Sequence, residues 1–153
     1  MCIRDSIESV AVAHSQLLLE DSDNAVIVHA DVTKPGLVLH DAQTRRLLDF
    51  DQPIGLLAVT IGHYILDHQD PYAVFDAYRE ALAPGSYLAV THFTDDFSIF
   101  DGDVLTNEMR QHTQNNICTR TRDEVLRLFG DFELVEPGPV SYTHLTLPTN
   151  REV

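Results

Sequence analysis

Lysine occurs once, at Lys34, tryptophan not at all, and cysteine only as Cys2 and Cys118. Two such cysteines supply neither a disulfide framework nor a CxxC site. Ten basic against 24 acidic side chains give a formal net charge of −14. That balance repels nucleic acid and anionic membrane surfaces, so neither is expected as a partner, and a solvated acidic surface explains the charge. No apolar run approaches the roughly 18 residues of a membrane span. The first residues lack the apolar stretch of a signal peptide, and a cytoplasmic setting is expected. Glycine occurs seven times and never as GxG, so no Gly-rich strand–turn–helix cradle is present. HExxH, GxSxG and P-loop patterns are also missing, and His63 and His68, five apart, do not share a helical face. No metal is expected.

What is present is an alternation of apolar runs and helical patterns. Residues 54–61 form a near-continuous apolar run, as in a strand buried on both faces of a parallel sheet. A loop over 62–69 follows. Asp70-Pro71 then opens a helix with an Asp cap and a proline in the first turn. Tyr72, Phe75, Tyr78 and Leu82 give that helix an apolar stripe, Pro84-Gly85 ends it, and residues 86–92 read as the next strand. Strand, helix, strand at this length is a βαβ crossover.

Upstream, residues 7–20 predict a helix with Val10, Ala13, His14 and Leu17 on one face, then a turn over 21–24 and a strand over 25–29. Lys34-Pro35-Gly36 breaks the chain, and 41–48 predicts a short helix. Downstream, 93–103 reads as a loop, 104–113 as a helix, and Thr121-Arg122-Asp123-Glu124 as a capping box opening a helix stopped by Gly130. Residues 132–135 predict a strand and 136–139 a turn. Such alternation predicts an α/β fold with a doubly wound, mostly parallel sheet.

Ligands of such sheets bind beyond the carboxyl ends of the strands. Asp31 follows the strand 25–29, where its carboxylate either takes an amino group such as that of adenine or merely caps a turn. Residues 60–64 follow the central strand. There Gly62 permits close backbone approach, carbonyls could hold an ammonium group, and His63 is either a general base near neutral pH or a locally bonded turn residue. Residues 92–96 line a substrate pocket or form a solvated loop.

The two ends call for separate treatment. Met1-Cys2-Ile3-Arg4-Asp5 can be encoded by ATG TGT ATA AGA GAC, whose reverse complement translates as Val-Ser-Tyr-Thr-His, the sequence of residues 140–144. That DNA looks like the transposon end of sequencing libraries, and residues 145–149 fit the adaptor that follows it. Residues 1–6 and 140–153 are therefore expected to be adaptor-derived tails, leaving 7–139 as a partial domain.

In 7–139, Leu48-Asp49-Phe50-Asp51-Gln52-Pro53, the run through His63-Tyr64, Leu82-Ala83-Pro84-Gly85-Ser86-Tyr87-Leu88, Arg122-Asp123-Glu124-Val125 and Glu133-Leu134-Val135-Glu136-Pro137-Gly138 stand in an ordered set. This set resembles the class I S-adenosylmethionine-dependent methyltransferases, and within them the small S-adenosyl methyltransferase family first catalogued as a domain of unknown function. The resemblance implies a Rossmann-like sheet, incomplete here, with the first two strands and the last one missing. It implies S-adenosyl-L-methionine as cofactor and methyl transfer to an acceptor that the charge balance makes a small molecule. Asp31 with Val32 would meet adenine, and Thr60, Ile61 and Gly62 the methionine end. Glu8 matches a second acidic position, the ribose-binding acid falling at about Ser6. His63 is the candidate catalytic base, and Tyr64 and His92 the candidate substrate contacts. Without the family's glycine loop the chain is expected to bind cofactor weakly or not at all, and to be inactive by itself. A non-catalytic Rossmann-like module and a nucleotide-binding oxidoreductase domain are the competing readings.

Overall fold

Among the described residues, strands pair in two parallel ladders. The computed structural model describes residues 1–94, 96 and 117–140. Strand β1 (Cys2–Ser6) pairs with β2 (Ala25–His29), Cys2 opposite Ala25 and Ser6 opposite His29. Strand β3 (Gly55–Ala58) pairs with β4 (Tyr87–Val90), Gly55 opposite Tyr87 and Ala58 opposite Val90. Among the described residues no ladder joins the two pairs. Helix α1 (Ser9–Leu18) connects β1 to β2, α2 (Pro35–Leu39) and α3 (Ala42–Leu47) lie between β2 and β3, and α4 (Pro71–Glu80) connects β3 to β4. Helix α5 (Arg122–Arg127) comes last.

Local chemistry sets the helix starts. Asp41 accepts from the amides of Gln43 and Thr44, and Asp70 from that of Ala73. Thr121 and Glu124 form the expected capping box, each satisfying the other's backbone N–H. Lys34-Pro35-Gly36, expected as a break, instead starts α2, because proline at the first helical position gives up an N–H that has no partner there anyway.

The core gathers Val28 of β2, Ala30 just after it, Val38 of α2, Ala58 of β3, Ile65, the inner face of α4 (Val74, Phe75, Tyr78) and Leu128. Ile3, Leu56, Leu88 and Val90 pack against it. The alternating residues of β3 and β4 point away: Leu57 is 73% and Tyr87 69% exposed. The central run is therefore a four-residue strand covered on one face, where the unbroken apolar sequence predicts eight residues buried on both. Periodicity cannot separate these cases, since an apolar residue on the bare face reads like one in the core.

Two further expectations are corrected. In α1 the buried residue is Val12, while Val10 and Leu17 on the face expected to pack are exposed. Residues 132–135 form no strand, and among the described residues no neighbouring strand takes their hydrogen bonds. Residues 2–6, read above as adaptor-derived, form β1, whose ladder with β2 uses main-chain groups that any side chain allows. The expected helix over 104–113 lies outside the described residues.

Helices α4 and α5 are locked by Arg79. Its Nη1 donates to the Leu128 carbonyl and its Nη2 to Asp76 Oδ1 at 2.6 Å. Gly130, at φ +55°, leaves room for this guanidinium, since a Cβ there would lie 2.4 Å from Arg79 Nη2. Gly130→Ala should therefore cost about 1–3 kcal/mol from the strained backbone and the displaced arginine. Urea unfolding checks this, and an unchanged midpoint would contradict the locking role.

Candidate functional site

Three segments reach the carboxyl ends of the strands. After β2, Asp31 Oδ1 accepts from the Thr33 amide (2.9 Å) and hydroxyl (2.7 Å), so the aspartate builds a turn with one oxygen. Val32 follows, half-buried, and its carbonyl accepts from the Tyr78 hydroxyl of α4 at 3.3 Å. The Tyr78 phenol is pushed above its ordinary range, by burial first and then by the negative charges of Asp5 and Asp31. Tyr78 is thus a neutral donor at physiological pH. The sequence marks it only as a core residue. Glu8, past β1, is exposed at the start of α1, and its side chain makes no capping bond.

After β3, Thr60 takes φ +56°, a region that a β-branched residue rarely occupies. Its amide donates to Thr91 Oγ1 at 2.7 Å, tying the end of β3 to the end of β4. Among the described residues no hydrogen bond reaches its carbonyl. Holding threonine there costs about 1–3 kcal/mol, a strain found mostly at functional sites.

Ile61 is half-buried and its carbonyl accepts from the Tyr64 amide at 3.0 Å. Gly62-His63-Tyr64 is a single 3₁₀ turn. Gly62 is required by a neighbour: a Cβ would come within 2.9 Å of His92 Cδ2. The close approach expected of a ligand is thus made by the His92 ring. His63 is 4% exposed, its ring 4.1 Å from that of Phe93 and 4.5 Å from that of Tyr64, centroid to centroid. Its Nδ1 is buried without a partner. Burial, and next the nearby His92, lower its pKa to about 4. His63, expected either as a base near neutral pH or as a locally bonded turn residue, is thus held neutral at that pH by its burial.

The residue that assembles this region is Arg120, 3% exposed, which the sequence reading passes over. Its Nη1 donates to His92 Nε2 (2.7 Å) and to the Gly62 carbonyl (3.3 Å). Its Nη2 donates to the Ile65 carbonyl (2.9 Å) and to Asp67 Oδ1 (2.7 Å). A guanidinium only donates, so His92 Nε2 is an acceptor, and the proton lies on Nδ1, which donates to the Phe93 carbonyl at 2.7 Å. The Arg120 amide donates to the same carbonyl at 3.1 Å, and the Cys118 amide to the His63 carbonyl at 2.9 Å. No sequence motif marks Arg120, because its partners lie 28–58 residues away.

Thr60, His63, His92 and Phe93 share a broad cleft with the outer part of β4 and the segment 129–140, whereas Asp31, Val32 and Glu8 lie outside it. Among the described residues no group of three or more His, Cys, Asp or Glu side chains is placed to hold a metal. Nor is any helix long and apolar enough to cross a membrane.

This arrangement has known counterparts. The family model described as S-adenosyl methyltransferase matches residues 6–152. The chain belongs to this S-adenosyl methyltransferase family. It is similar to the crystal structure of a candidate methyltransferase from Thermobifida fusca YX, at 33% identity and a TM-score of 0.82 over 94% of this chain and 57% of that one. A DUF574 family protein from Streptomyces avermitilis MA-4680 is 28% identical, with a TM-score of 0.80 over 88% of this chain and 52% of that one. The chain thus spans little more than half the length of these structures. No functionally curated protein matches it. The family assignment supports the Rossmann-like α/β sheet read from the strand–helix alternation.

Two outcomes follow for this family member. Since His63 is neutral when folded and titrates near 6.5 when unfolded, its burial stabilises the fold fully above about pH 6.5. That contribution is lost as pH falls toward 4. His63→Gln should remove about 2–3 kcal/mol of this pH dependence, read as the difference between the two proteins' urea midpoints at pH 7 and pH 4.5. Gly62→Ala should destabilise by about 1–3 kcal/mol, because the His92 ring is held from both sides and cannot yield. A thermal melt matching the parent's would show that the ring moves freely.

Proposed function

We propose that this chain carries the adenine-side and methionine-side contacts of an S-adenosyl-L-methionine-dependent methyltransferase acting on a small-molecule acceptor. The observation that carries the proposal is Thr60: a strained residue at the carboxyl end of β3, tied to β4 by its amide, with no intramolecular partner for its carbonyl among the described residues. A carbonyl left in that state suits an ammonium group, as the amino-acid end of the donor requires. Asp31 has a second carboxylate oxygen for the adenine amino group, with Val32 forming the apolar floor beside it. Ile61 and Gly62 continue the methionine-side wall, and Glu8 is the acid nearest the ribose.

The donor, when bound, supplies a methyl group on a sulfonium sulfur, activated for direct displacement. What the protein must add is alignment of the acceptor with that methyl and exclusion of water. Tyr64 and His92 flank the turn on the acceptor side. His63, neutral and buried between aromatic rings, shapes the wall and is at most a weak base for an O–H or N–H acceptor. The net charge of −14 favours a small neutral or cationic acceptor over a polyanion.

Binding by this chain should be weak, since it holds no GxG bend to cradle the donor. Amide NMR with S-adenosylhomocysteine tests the site directly. Shifts should be confined to residues 8, 31–33 and 60–64, with a dissociation constant of about 100 µM or weaker, and Asp31→Ala should abolish those at 31–33. Shifts elsewhere, or none at millimolar ligand, would overturn the reading.

A further inference from the structure

We infer that Arg120 is a positioning residue that fixes the donor-side turn in its working shape by using His92 as a latch. The inference rests on the site proposed above, but the geometry behind it involves only side chains of this chain. Arg120 is buried, and a buried guanidinium is tolerated only when its donors are matched. Here Nη1 and Nη2 are matched on three different pieces of chain: carbonyls of Gly62 and Ile65 in the turn after β3, the carboxylate of Asp67 beyond it, and the ring of His92 past the end of β4. One planar group therefore sets where the 62–67 turn stands relative to the end of β4. Thr60, whose strained backbone enters this turn, is fixed from its other side by Thr91, the residue before His92.

His92 serves this arrangement in a specific protonation state. Its Nε2 lone pair faces Arg120, and its Nδ1–H is committed to the Phe93 carbonyl. The ring edge then lies against Gly62, where no side chain would fit. The other groups that act on the ring are the Gly62 backbone, His63, across a 6.1 Å centroid distance, and Glu124 of the capping box. The latch holds while His92 is neutral. Protonation of Nε2 would set two donors against each other and release the turn.

Histidine-nitrogen NMR and amide exchange on the 153-residue chain test this without any ligand. In the parent protein His92 should show protonated Nδ1 and bare Nε2 at pH 7. Arg120→Gln should give a mixture of tautomers and at least about tenfold faster exchange of the Ile65 amide, which is bonded to the Gly62 carbonyl. Arg120→Lys, which keeps the charge and fewer donors, should restore part of both signals. Should Arg120→Gln fail to fold, His92→Phe keeps a planar ring but removes both the acceptor for Arg120 and the donor to the Phe93 carbonyl, and Ile65 exchange should accelerate likewise. A His92 tautomer unchanged in Arg120→Gln, or Ile65 exchange unchanged in the variant that folds, would overturn the inference. Failure of the parent to bind S-adenosylhomocysteine would instead count against the proposed donor site, and the His92 and Ile65 signals would still decide whether Arg120 holds the turn.

Discussion

The two strand pairs share no backbone hydrogen bond among the described residues, so burial of the inner face of α4 is what makes them one body. Val74, Phe75 and Tyr78 share one core cluster with Val28 and Ala30 from the first pair and Ala58 from the second. Apolar contact is not directional, and alone it would let the halves slide. Tyr78 adds direction: its hydroxyl donates to the Val32 carbonyl, fixing the end of β2 to the helix that connects β3 and β4. The candidate adenine-side residues therefore depend on a helix belonging to the other half. A change on the buried face of α4 would disturb Asp31 and Val32 as well as the core.

Tightness is distributed unevenly over the same framework. The turn after β3 is over-determined: Thr60 is bonded to Thr91, Gly62 lies against His92, and Arg120 ties the 62–67 carbonyls together. Such redundancy is what allows a β-branched residue to persist at φ +56°. By contrast, Leu57, Val59 and Tyr87 on the outer face of β3–β4 are exposed, as are Val10 and Leu17 of α1. Parallel sheets are as a rule covered on both faces. In this chain, which spans little more than half of the similar crystal structures, one face is bare.

What could be read from the sequence follows the range of the forces involved. Caps at Asp41, Asp70 and Thr121 are local, three residues or fewer from their partners, and the sequence shows them directly. The βαβ unit is legible because strand and helix periods differ. The outer face of β3 was not, since apolar alternation does not say what covers a strand. Nor was the buried face of α1, where Val12 rather than Val10 packs. At the site, residues 60–63 are marked by their place after a strand and by a glycine. Which neighbour requires that glycine is a long-range fact: His92 is 30 positions away, and Arg120, which holds His92, is further still. Arginine after a threonine carries no signal of burial, because arginines are ordinarily exposed.

The electrostatics of the site favour one kind of chemistry. Under the proposed function the bound donor is a sulfonium, and an imidazolium close by would repel it. Burial lowers the pKa of both His63 and His92, and Arg120 adds to the effect on His92, so both rings are neutral at physiological pH. The guanidinium that keeps His92 neutral is itself a cation, but Asp67 lies 2.7 Å from it and offsets that charge. The region around the turn thus holds polar groups in fixed directions with little net charge of its own. Hydrolysis or proton abstraction calls for a poised base, and His63, with a pKa of about 4, is poorly matched to that task. Displacement at an already activated methyl calls mainly for fixed geometry, and fixed geometry is what the bonds from Thr91, His92 and Arg120 supply.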